Sequence, residues 1–295
     1  MRRGSRNVRR TPDARGWGLS RDGGDAVALG RSLKILYSTT NRQMSQTRTG
    51  CLLVGSPRSG TTLCATMIGS HPDVGMVIED LGHAGHTIPG VKVWGNKLCI
   101  PNQIRLDPIP DDRSLWRRLE DGVRAVIGRP RRRPQFMESY PPPPSQQYTI
   151  RTYVEKEAKL VAMIRDPDHV VDSIRRRGPA STVDLAKERW SQAARTISRA
   201  SEEYPDRTHL VRFVDLVERP KVVMSDICVF LGLPFSLDMI EGHSGARQYE
   251  REKIDPSVAH RDVQSYNLDA YDPEAFRAYK KLTQKAAVGS YTNQG

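Results

Sequence analysis

Short apolar runs alternate with helix-period stretches along most of this chain. Cys51-Leu52-Leu53-Val54-Gly55 is apolar throughout and closed by glycine, the pattern of a strand buried on both faces. Residues 62–70 then place Leu63, Met67 and Ile68 on one helical side, and His71-Pro72 ends that helix. Residues 76–78 read as a second short strand. Asp111 or Asp112 is positioned to cap a helix with Leu115, Leu119, Val123 and Val126 on one side. Residues 129–144 are rich in proline and arginine and read as a loop. Another buried strand is predicted over 160–164, followed by a helix capped by Asp166, opened by Pro167 and carrying Val170, Val171 and Ile174. A longer helix from Ser181 carries Ala186, Trp190, Ala193 and Ile197. Residues 209–213 read as a strand, and Pro220 opens a helix running through Val222, Ile227 and Phe230 to Gly232. After about Ser244 the chain is polar, with one short helix predicted over 273–282. This alternation predicts an α/β fold, a central parallel sheet covered by helices on both faces, with ligands at the carboxyl ends of the strands.

Composition divides the chain. Residues 1–47 are rich in Arg, Gly, Ser and Thr with no sustained apolar period, and read as a disordered basic tail. Met44, just before the first strand, is an alternative start. Residues 48–295 read as one domain, with an insertion at about 83–158 on the acceptor side. Apolar residues are 37% and the formal charge is +12, of which the first 48 residues contribute +8. Positive charge segregated in a tail is a poor sign of a nucleic-acid face on the folded part, so no nucleic-acid partner is expected. Cys51, Cys64, Cys99 and Cys228 are scattered, without zinc-ligand spacing or a disulfide framework. No apolar run approaches the roughly 20 residues that span a bilayer, and no signal peptide is evident, so the expected location is cytoplasmic.

The candidate chemistry begins at Gly55-Ser56-Pro57-Arg58-Ser59-Gly60-Thr61-Thr62, between the first strand and the first helix. The glycine spacing is that of a phosphate-binding loop, GxxxxGK[ST]. Such a loop turns several N–H groups toward one anion beside the positive end of a helix dipole. The lysine of the nucleoside-triphosphatase version is missing: position 61 is threonine, and the cation stands three residues earlier, at Arg58. Without that lysine, a magnesium-bound triphosphate is a poor fit and a less charged group is a better one. A second signature follows the predicted strand at 160–164. Arg165-Asp166-Pro167 puts an arginine fork at a strand end beside a helix N-terminus, and Ser173 falls on the same side about two turns on. A guanidinium and a hydroxyl together suit a terminal phosphate.

In order and separation these segments resemble the sulfotransferases that use 3′-phosphoadenosine 5′-phosphosulfate. The loop from Ser56 to Thr62 is similar to the 5′-phosphosulfate loop of the bacterial and tyrosylprotein branch. Arg165 and Ser173 resemble the 3′-phosphate site. Arg212-Phe213-Val214-Asp215-Leu216 with Phe230-Leu231-Gly232-Leu233-Pro234 resembles a third strand-to-helix segment, although a tyrosine usually stands where Phe213 is. The resemblance spans about residues 51–235. It implies a P-loop-NTPase-like three-layer sandwich, that nucleotide as donor, a hydroxyl acceptor and no metal. It also implies donor binding by Arg58, Ser59, Gly60, Thr61, Thr62, Arg165 and Ser173. Arg247 and Arg251 are candidates for further contacts to the 3′-phosphate.

Sulfuryl transfer needs a base near the attacking oxygen. The resemblance points to Glu79, at the end of the predicted strand 76–78, with His83 and His86 as rivals. Lys97, in Trp94-Gly95-Asn96-Lys97-Leu98-Cys99-Ile100-Pro101, resembles the lysine of a Gly-Asp-Lys-x-Pro stretch; it either supports the reacting sulfate, binds acceptor or is an ordinary exposed lysine. The arginine runs at 131–133 and 175–177 are candidate acceptor contacts and a solvated helix end, respectively. A small-molecule kinase or nucleotide hydrolase on the same scaffold is the competing reading.

Overall fold

The structure is a computed structural model. It describes residues 48–81, 86, 88–110, 114–127, 147–176, 182–241, 256–263, 265–266 and 271–289. The predicted tail at 1–47 lies outside them, as do Asp111, Asp112, His83, the 129–144 loop, Arg177, Ser181, Arg247 and Arg251.

Five strands build the centre: β1 (Thr49–Gly55), β2 (Val74–Ile78), β3 (Val93–Cys99), β4 (Ala158–Ile164) and β5 (Thr208–Arg212). All run parallel, in the order β2-β3-β1-β4-β5. The helices are α1 (Thr61–Gly69), α2 (Leu115–Val126), α3 (Ile150–Glu155), α4 (Pro167–Arg175), α5 (Val183–Glu203), α6 (Phe213–Glu218), α7 (Pro220–Leu231), α8 (Asp238–Glu241) and α9 (Pro273–Gly289). β1 is central because successive side chains of an extended chain point to opposite faces, and both faces of its apolar run find a core. Cys51 and Leu53 pack with Leu63 and Met67 of α1 and with Met224 and Ile227 of α7. Leu52 and Val54 pack with Tyr153 of α3, Ala193 and Ile197 of α5 and Leu282 of α9. Each fully buried Leu or Val stabilises by roughly 1.5–3 kcal/mol over the exposed state. The result is three layers, helix, sheet and helix, as the pattern predicts. All strands being parallel, the carboxyl ends of β1, β3 and β4 lie side by side, and the order of strand addition switches sides at β1, the topological switch point where such sheets bind ligands.

Several expectations shift. The strand expected at 209–213 ends at Arg212, and Phe213 instead opens α6. The turn is fixed by Asp215, which is buried and accepts from both Arg212 and Arg219. Burial alone would raise its carboxyl, but the two guanidiniums win and hold it below the usual carboxylate range. α5 begins at Val183, because the Thr182 hydroxyl accepts from the Leu185 N–H at 3.2 Å and caps it there. The final helix runs further than predicted, to Gly289. β3 has no counterpart in the sequence reading. It lies inside the stretch 83–158 and is buried along its whole length. α2 has the apolar stripe predicted for it, but Leu115, Leu119, Val123 and Val126 are all exposed.

Candidate functional site

The loop between β1 and α1 is tightly wound. The Ser59 N–H and hydroxyl both donate to the Ser56 carbonyl, at 3.1 and 2.7 Å. Gly60 has φ 94°, and a Cβ there would come within 2.4 Å of the Phe213 ring, so this position accepts only glycine without strain. Arg58 also adopts positive φ, 70°, a costly conformation for a side-chain-bearing residue. Gly60 caps α1 without a side-chain hydrogen bond, and no acid stands in the first turn. The positive end of the helix therefore opens on the loop with no protein carboxylate in its first turn. Thr61 is buried, with its hydroxyl 3.9 Å from the Cys99 sulfur, while Thr62 is half-buried.

Arg165 and Ser173 reach this loop. The Arg58 Nε donates to Ser173 Oγ at 2.9 Å, and Arg165 donates to the Arg58 carbonyl at 3.0 Å. The Arg165 guanidinium lies over the Phe213 ring, 3.9 Å from its centroid. The two segments predicted to hold opposite ends of one ligand, 107 residues apart, thus meet through Arg58. β1 and β4 pair directly, Gly55 opposite Met163, which delivers both segments to one end of the sheet.

Glu79 and Lys97 form the neighbouring corner. Ile78 pairs with Lys97 in register, and the Glu79 N–H continues the ladder to the Lys97 carbonyl at 2.8 Å. Glu79 then turns out with φ 62°, and Lys97 Nζ donates to its Oε1 at 2.7 Å. The Lys97 side chain is 2% exposed and that of Glu79 36%. Lys97 is therefore not a solvated lysine; a cation so deeply placed requires a partner, and Glu79 supplies it. β2 lies two strand spacings from β1, so Glu79 stands about 10 Å across the sheet from the loop, at the same end. His86 is placed elsewhere. Its ring meets Trp94 edge-on at 6.2 Å, at the amino end of β3.

Comparison with known proteins bears on this geometry. Residues 150–237, which hold Arg165, Ser173 and Phe213, match the model of the sulfotransferase family. Over that segment the chain is similar to the sulfotransferase family. It is 26% identical over 193 residues to protein-tyrosine sulfotransferase 1 of Danio rerio, covering 62% of this chain and 52% of that one. The chain thus spans about half the length of that curated relative. Among solved structures, it is similar to the sulfotransferase domain of the Synechococcus PCC 7002 olefin synthase. That match has TM-score 0.48 and 18% identity, over 83% of this chain and 98% of the other. Mouse sulfotransferase SULT7A1, complexed with PAP, matches with TM-score 0.40 and 13% identity, over 89% and 90%.

The family-matched segment also holds residues that the sequence reading missed. Asp168, in the first turn of α4, accepts from the Tyr271 hydroxyl at 2.9 Å and the Tyr266 N–H at 3.3 Å. It ties the C-terminal segment to the helix that follows Arg165. Burial, then this hydrogen bond, pushes the Tyr271 phenol up. The Trp190 indole N–H donates to the Arg165 carbonyl at 3.3 Å. The second acid in Arg165-Asp166-Pro167-Asp168 was the available signal, since Asp166 already caps the helix and leaves Asp168 to another task. Phe213 reads from sequence as a strand residue, and only its contacts with Gly60 and Arg165 reveal its position.

Proposed function

We propose that this protein transfers a sulfuryl group from 3′-phosphoadenosine 5′-phosphosulfate to an acceptor hydroxyl. The observation that supports the reading best is the junction at Arg58, which joins a lysine-free anion loop to the Arg165–Ser173 pair. A donor with anionic groups at both ends suits such a receptor. In this reading the α1 N-terminus, Ser59, Gly60, Thr61 and Thr62 hold the 5′-phosphosulfate, and Arg165 and Ser173 hold the 3′-phosphate. Thr61 contributes through its backbone N–H, because its hydroxyl faces Cys99.

Glu79 takes the proton of the acceptor hydroxyl as that oxygen bonds to sulfur. The bond from sulfur to the bridging phosphate oxygen breaks, and its electron pair leaves with adenosine 3′,5′-bisphosphate. Arg58 stabilises the charge that grows on the bridging oxygen. Lys97 holds Glu79 in place. A kinase or hydrolase is disfavoured by Thr61, buried where a phosphate-binding lysine would stand.

Incubating the protein with donor labelled in the sulfate, against a panel of carbohydrate, lipid, phenolic and peptide-tyrosine acceptors, tests the reading. Labelled product is expected without added metal. Tighter binding of magnesium ATP than of adenosine 3′,5′-bisphosphate would reject it.

A further inference from the structure

Among the described residues the apolar side of α2 is left exposed. Leu115, Trp116, Leu119, Val123, Val126 and Ile127 are 75, 82, 61, 60, 87 and 60% exposed. At 3.6 residues per turn these six positions fall within an arc of about 120°. An apolar stripe of this size standing in water marks a surface that something else covers.

Charge selects the occupant. The stretch 113–133 contains eight arginines, at 113, 117, 118, 124, 129 and 131–133, against Glu120 and Asp121, a net charge of +6. A second copy would bring +6 against +6. The basic N-terminal stretch of this chain, +8 over residues 1–48, would be repelled in the same way. An anionic bilayer attracts both. The residue types also fit a water–lipid boundary, with a tryptophan beside aliphatic residues on one side of the helix and arginines in the sequence around them. At about 1.5 Å per residue the 12-residue α2 is only about 18 Å long, too short to cross a bilayer and suited to lie in its plane. We propose that α2 docks the protein on an anionic lipid surface, with the stripe from Leu115 to Ile127 in the boundary between headgroups and acyl chains. This docking is independent of sulfuryl transfer.

The test is flotation of the full chain with phosphatidylcholine vesicles, with and without phosphatidylglycerol. Binding is expected only with phosphatidylglycerol and should weaken as salt rises. The triple variant Leu119→Ser, Val123→Ser, Ile127→Ser keeps every charge and alters only exposed side chains, so its thermal unfolding should match the parent. Its vesicle affinity should fall at least about tenfold. Trp116 fluorescence should be quenched by brominated acyl chains, and this quenching should be lost in Trp116→Phe. Equal binding by the triple variant would mean that basic segments alone attract lipid, and would overturn the docking role of α2. So would a parent that ignores both vesicle types, or a parent dimer in solution that the triple variant dissociates.

Discussion

Two corners at the carboxyl end of the sheet hold their cations in different ways. At the first, Arg58 donates to a serine hydroxyl and Arg165 to a backbone carbonyl, both neutral acceptors. At the second, Lys97 donates to the Glu79 carboxylate, and the pair balances its own charge. The first corner gathers two guanidiniums beside the N-terminus of α1, the kind of donors an anion needs. The second keeps a carboxylate whose position is fixed by a buried ammonium. In the proposed reaction the 3′-phosphate is read by Arg165 at the first and the proton is taken by Glu79 at the second, so substitutions at these two residues should separate affinity from turnover.

The largest expected effect is at the second corner. Glu79→Gln should lower turnover by about 10²–10⁴ while affinity for adenosine 3′,5′-bisphosphate, measured by calorimetry, stays near the parent value. Because Glu79 also pairs with Lys97, a double variant with Lys97→Met removes the orphaned cation; turnover should remain low in it. Recovery there would assign the loss to charge imbalance and reject Glu79 as base. At the first corner, Arg165→Ala should remove about 2–3 kcal/mol of the preference for adenosine 3′,5′-bisphosphate over AMP, with turnover at saturating donor much less affected. If the preference is retained, the 3′-phosphate is read by another group.

A smaller effect tests the scaffold beneath the first corner. Gly60→Ala forces a Cβ into both a positive φ and the Phe213 ring, and should cost more than about 1 kcal/mol in urea unfolding. Donor affinity should fall with it. A last effect lies away from both corners and leaves the reaction untouched at neutral pH. His209 stacks on Phe230 at 5.3 Å, and burial pushes its imidazole down to about 4, against about 6.5 when unfolded. The unfolded chain therefore binds the extra proton first, so stability should decline as pH falls from about 6.5 toward 4. His209→Gln should flatten that slope in thermal unfolding measured across the same window.

The same contrast explains what the sequence could disclose. β1 and its loop are local features: an apolar run, two glycines and a helix start, all within fourteen residues of one another. The Arg165 segment is equally local, a strand end and a capped helix. β3 is not. Its centre reads Gly95-Asn96-Lys97, which looks like a polar turn. Asn96 is fully buried only because Tyr153 and the Asp80 carbonyl meet its amide, and Lys97 only because Glu79 does. These partners lie 16 to 57 residues away in sequence, beyond the reach of any periodicity. α2 shows the converse: its period was read correctly, but a period does not say whether the fold supplies a core to receive it.

The place of α9 has a consequence for how the molecule is made. Leu282 and Ala286 fill the second core, against side chains of β1, β4 and α5. All five strands leave the ribosome before α9 does. Until it follows, the apolar side chains of β1, β4 and α5 that it covers stay open to water, so the last helix to be made is the one that closes this core.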